Sequence, residues 1–87
     1  MAYRVVVHRR AANYLKSLPL VEKERLKNTI AQLSIDPFGS PGVKPMAGQW
    51  AGYYRIRIGD KRILYWLDRQ DKVVFVDHIG PRGDIYK

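Results

Sequence analysis

Residues 53–67 read YYRIRIGDKRILYWL, two runs of β-branched and aromatic residues joined by Gly59 and Asp60. Gly-Asp between such runs predicts a two-residue hairpin turn joining strands at residues 53–58 and 61–67. So short a turn sets the register, with Ile58 opposite Lys61, Arg57 opposite Arg62, Ile56 opposite Ile63, Arg55 opposite Leu64 and Tyr54 opposite Tyr65. Side chains alternate along a strand. Tyr54, Ile56, Ile58, Ile63 and Tyr65 therefore share one side, and Arg55, Arg57 and Arg62 share the other with Leu64 and Trp66. The apolar side needs a cover, and the arginine side is left for something else.

Downstream, residues 72–79 predict one more strand, and GPRGDIYK at 80–87 is a short basic tail. Upstream, residues 36–52 read DPFGSPGVKPMAGQWAG with no sustained period, which predicts a loop that Trp50 anchors on the core. Before it, Leu26, Ile30 and Leu33 form one face of a helix over 20–34, with Glu22, Lys23, Arg25 and Lys27 largely on the wet face. Ala11, Tyr14, Leu15 and Leu18 do the same for a helix over 9–18 that Pro19 interrupts. Residues 3–7 read as a first strand. The order is βααβββ. It predicts a single α+β domain over 1–87, with a two-helix hairpin packed on one face of a mainly antiparallel four-stranded sheet.

A chain of 87 residues with 46% hydrophobic and 28% charged residues has the composition of a globular domain. It has no cysteine, which excludes disulfides, thiolate nucleophiles and sulfur-bound metals. His8 and His78 are far apart and have no acidic cluster at metal-site spacing, so neither a metal nor a cofactor is expected. The opening MAYRVVVHRR is too short in apolar residues for a signal peptide or a membrane span, and a cytoplasmic location without membrane contact is expected. Sixteen Lys and Arg against eight Asp and Glu leave a net charge of +8, a field that draws polyanions.

Arg57 and Arg62 directly across a ladder, with Arg55 diagonal to them, are a poor choice for stability. The guanidinium fork matches phosphate geometry, and Trp66 among the cations suits a nucleotide, so this face is the expected nucleic-acid-binding site. The other reading is a solvated face whose arginines point apart into water. Arg82 and Tyr86 follow the last strand, and the tail reaches the arginine face if that strand pairs beside residues 61–67. His78, near a strand end, reads as a packing or hydrogen-bonding residue, and so does His8.

The segment YYRIRIGDKRILYWLD and the ending IGPRGDIYK resemble the RelE/ParE toxin superfamily of type II toxin–antitoxin systems, most closely its ribosome-dependent RelE branch. The resemblance extends to the opening strand, helical hairpin and Pro/Gly loop. Arg55 and Arg57 match the alternating basic pair before the hairpin, Arg62 the arginine after it, and Arg82 and Tyr86 the arginine and tyrosine of the C-terminal segment. Pro81 and Gly83 depart from the family's His and second Arg. The resemblance implies a metal-independent messenger RNA endoribonuclease acting in the ribosomal A site, in which a 2′-hydroxyl attacks its neighbouring phosphate. Arg55, Arg57 and Arg62 would clamp that phosphate, since a guanidinium does not give up its proton to become a base. Arg82 would stand by the leaving oxygen as clamp or acid, and Tyr86 would act as base or as a platform. It also implies neutralisation by a RelB-like antitoxin, through which alone operator DNA is reached. Two alternatives remain: a ParE-like inhibitor of DNA gyrase, and a non-catalytic RNA-binding module using the same basic face.

Overall fold

The computed structural model describes residues 3–38 and 42–81. Its elements are β1 (Arg4–Val7), α1 (Arg9–Lys16), α2 (Leu20–Ile35), β2 (Val43–Pro45), a 3-10 turn (Gly48–Trp50), β3 (Tyr53–Ile58), β4 (Lys61–Asp68) and β5 (Val73–Pro81). They build a sheet in the order β1-β5-β4-β3-β2. β1 and β5 are parallel, which the long intervening chain permits, and the other neighbours are antiparallel.

The Gly59–Asp60 turn sets the register expected of it, from Ile58 opposite Lys61 through Arg57 opposite Arg62 to Tyr54 opposite Tyr65. Gly59 has a φ of 59°, the left-handed conformation that such turns require and glycine adopts without strain. Ile56, Ile63 and Tyr65 join Val74, Val76 and Ile79 beneath Ala11, Leu26, Ile30 and Leu33 of the helices. Both helices therefore lie on one face of the sheet, and the arginines occupy the face they leave open.

Tyr65 is fully buried, and its hydroxyl donates to the Pro37 carbonyl oxygen at 2.7 Å, tying the chain after α2 to the middle of the sheet. Burial pushes its phenol well above the ordinary value, so it remains a donor. Tyr65→Phe strands a buried acceptor and should lower unfolding free energy by about 1–3 kcal/mol, measured by urea denaturation. No loss of stability would mean that this tie carries none.

Three expectations need correction. The sheet has five strands rather than four, because Val43–Pro45 inside the expected loop pairs antiparallel with β3. A three-residue strand is too short to display a period and exists only because β3 offers it an edge. The last strand does not end at Ile79. It continues through Gly80, opposite Arg62, to Pro81, opposite Lys61, and proline is tolerated there because it is the terminal pair. α1 also stops at Lys16, earlier than Leu18, and Ser17 caps it.

The ladder between β4 and β5 contains a bulge. Tyr65 pairs with Val76 but Leu64 with His78, which leaves Asp77 as the extra residue. Alternation changes phase at that point. Val74 and Val76 face the helices before the bulge and Ile79 does so after it, while His78 and Gly80 take the face of Leu64 and Arg62. Val76 and His78 thus do not share a face, as simple parity would have required.

Candidate nucleic-acid interface

Three adjacent strands bring cations to the open face. Arg55 and Arg57 alternate on β3, Arg62 follows the turn on β4, and Lys44 stands on β2. Pairing across the ladder makes two like-charged couples, Lys44 with Arg55 and Arg57 with Arg62, two residues apart along β3. Directly opposed residues have Cβ atoms about 4.5–5.5 Å apart, and like charges there destabilise by roughly 0.2–1 kcal/mol per couple.

The cations differ in depth. Arg57 is exposed, Arg55 half-buried and Arg62 only 7% exposed. A guanidinium held that deeply has little room to swing into solvent. Gly42, Lys44, Arg55 and Arg57 line a shallow depression of about 170 Å³. The φ of 86° at Gly42 turns the chain into β2 and sets Lys44 beside Arg55. Lys44 is the residue that sequence reasoning missed. Its signal was the alternation of Val43 and Lys44 before Pro45, too brief to separate from a loop.

One row further along the sheet the face becomes aromatic. Tyr53, Trp66 and Phe75 are neighbours on β3, β4 and β5. The Trp66 and Phe75 rings stack with centroids 4.4 Å apart and planes 16° from parallel. The Tyr53 hydroxyl donates to Asp77 Oδ2 at 2.8 Å, and the Trp50 ring meets Tyr53 edge-on at 5.4 Å. Trp50 therefore anchors its loop, but on the open face through Tyr53 instead of on the core. Hydrogen bonding to the Asp77 carboxylate raises the Tyr53 phenol above its ordinary value, with burial and the carboxylate's charge adding to the effect. Tyr53 is consequently a poor proton acceptor.

Behind the cations, Lys61 Nζ lies 2.9 Å from Asp60 Oδ1 and 3.2 Å from Glu22 Oε1. This fastens the turn between Arg57 and Arg62 to the first turn of α2. His8 has a structural task, since its Nδ1 accepts from the Arg10 backbone N–H at 3.0 Å and caps α1. His78 lines a second depression of about 280 Å³ with Arg10, Tyr14, Ile79, Gly80 and Pro81. Of the expected site residues, Arg55, Arg57, Arg62 and Trp66 are brought to one face. Arg82 and Tyr86 lie outside the described residues. Among the described residues no three His, Asp or Glu side chains gather as metal ligands, and no helix is long and apolar enough to cross a membrane.

A family model described as the ParE toxin of type II toxin–antitoxin systems, parDE, matches residues 5–86. The chain belongs to this toxin family. The toxin is also 29% identical over 89 residues to the putative toxin RelE1 of Methanocaldococcus jannaschii, a match covering 100% of this chain and 98% of the relative. A chain of the archaeal RelE–RelB complex from Pyrococcus horikoshii superposes with a TM-score of 0.83 and 31% identity, covering 97% of this chain and 99% of its own. A chain of the toxin–antitoxin complex RelBE2 from Mycobacterium tuberculosis gives a TM-score of 0.83 and 25% identity, covering 94% and 100%. The resemblance carried by residues 53–68 and the tail is thereby borne out at the level of the RelE/ParE superfamily. The toxin shares its two-helix, mainly antiparallel architecture with these structures.

Proposed function

We propose that the toxin is a metal-independent endoribonuclease of the RelE type that cuts messenger RNA in the ribosomal A site and so stops translation in the cytoplasm. The observation that supports this most is the pair of like-charged couples, Lys44 with Arg55 and Arg57 with Arg62, on a face left open by the helices. Such an arrangement opposes folding and is relieved by a polyanion.

In the reaction the 2′-oxygen bonds to the neighbouring phosphorus, the bond from phosphorus to the 5′-oxygen breaks, and one proton moves from the first oxygen to the second. The products are a 2′,3′-cyclic phosphate and a free 5′-hydroxyl. Arg55, Arg57 and Arg62 clamp the phosphate and stabilise the charge that develops on it. Arg82 follows Pro81 in sequence and serves the leaving oxygen as clamp or acid. Tyr86 accepts the first proton or holds the base by stacking, a task for which the carboxylate-bound Tyr53 is ill suited. Trp66 contacts the RNA beside the cations. With no strong base in this set, RNA geometry supplied by the ribosome contributes much of the rate.

The partner in this reading is a RelB-like antitoxin, as named in the two relatives' complexes, whose acidic amphipathic segment covers the basic face. Operator DNA is reached only through that partner. A second reading, inhibition of DNA gyrase, is favoured by the ParE description of the matching family.

The deciding experiment adds the toxin to programmed ribosomes and maps RNA ends, beside the same RNA without ribosomes and a gyrase supercoiling assay. Cuts confined to the A-site codon are expected. Intact RNA together with blocked supercoiling would replace the ribonuclease by the gyrase reading. A smaller effect is expected at the newly found cation. Lys44→Thr should weaken RNA binding, reduce the slope of log affinity against log salt by about 1, and raise stability by roughly 0.2–1 kcal/mol. An unchanged salt slope would remove Lys44 from the interface.

A further inference from the structure

The phosphate clamp leaves most of the aromatic row beside it without a task. We propose that Tyr53, Trp66 and Phe75 form a platform on which a nucleobase of the bound RNA stacks while the cations hold its phosphates, an inference that rests on the ribonuclease reading of the same face.

The register supplies the spacing. Tyr53, Trp66 and Phe75 form one row, Lys44, Arg55, Leu64 and His78 the next, and Arg57, Arg62 and Gly80 the one after. Successive rows on one face of a sheet are roughly 6.7 Å apart. A polymer carrying phosphates and flat bases satisfies both kinds of row at once. The His78 imidazole lies over Gly80, where a Cβ would meet its Nε2 at 3.1 Å.

The platform is also held in place. The Trp66 and Phe75 rings stack on each other across the ladder, which engages one face of each. The Tyr53 ring is fixed at its hydroxyl by Asp77 and at its edge by Trp50. Val6, opposite Phe75 on the edge strand and 41% exposed, leaves the far end of the row open. Rings fixed before binding lose little freedom when a base lands on them.

The test titrates the full chain with a labelled single-stranded RNA and with the same backbone lacking bases, at physiological ionic strength. The wild type should bind the base-bearing RNA about ten-fold more tightly. Trp66→Ala should abolish most of that difference, and Trp66→Phe should retain it. Arg57→Ala should weaken both strands alike. If Trp66→Ala fails to fold by circular dichroism, Phe75→Leu carries the same comparison. A Trp66→Ala protein that still discriminates as the wild type does, with Arg57→Ala weakened on both strands, overturns the platform and leaves the phosphate site standing. The platform is likewise overturned if Trp66→Ala loses antitoxin affinity alone, which assigns the row to a protein partner. Arg57→Ala without effect on either strand would remove the phosphate site and the platform together.

Discussion

Arg82→Ala should reduce A-site cleavage by at least about a hundred-fold and leave the thermal unfolding transition where it is, the separation expected of a group that acts on the developing charge. Arg82 follows Pro81, which pairs with Lys61 at the C-terminal end of β5. Among the described residues, the buried positions of β5 end at Ile79 and Gly80. The departing 5′-oxygen gains charge as its bond to phosphorus stretches, and neither Arg55 nor Arg57, placed on β3, is expected to serve that oxygen as well as the attacked phosphate. A substitution that removes only transition-state stabilisation lowers kcat and leaves ribosome affinity nearly intact. Mapping of RNA ends in a single-turnover time course, beside a melting curve, reads both quantities. Full activity in a folded Arg82→Ala protein would dismiss Arg82 from the site.

Much of the open face is legible in the sequence, because one short turn controls it. Once Gly59 and Asp60 define a two-residue loop, the facing of Arg55, Arg57 and Arg62 follows from the pleat alone, and the observed pairing agrees at every position from Tyr54 to Tyr65. The helices are legible for the same local reason, their apolar residues recurring at helical spacing. What escapes is non-local. The three residues of β2 become a strand only through an edge provided by β3, so the brief alternation around Lys44 could not be told from a loop. The bulge at Asp77 depends on how β5 must twist to satisfy β4 and β1 together, and nothing in VVFVDHIG announces it. Trp50 reads as an anchor for its loop, but the face it chooses depends on a Tyr53 ring whose direction Asp77 fixes.

A gentler substitution, Arg62→Lys, should cost about a hundred-fold in cleavage at unchanged net charge. The long-range field that gathers RNA depends on the total, which this variant keeps at +8. Encounter, salt dependence and overall affinity should therefore remain near the wild type. What changes is the fork. Arg62 is 7% exposed, set opposite Arg57 and beside Gly80, and a planar guanidinium there presents several donors in fixed directions to a phosphate. Lysine offers a compact ammonium that prefers its own hydration shell, and at a buried position it must surrender that shell to reach the same oxygens. The loss should fall on kcat with little change in KM, because the phosphate oxygens acquire their extra charge only as the new bond forms. Arg62→Lys cleaving as fast as the wild type would show that position 62 supplies charge and nothing more. The open face would then be a steering surface, with the chemistry done by the ribosome and the tail.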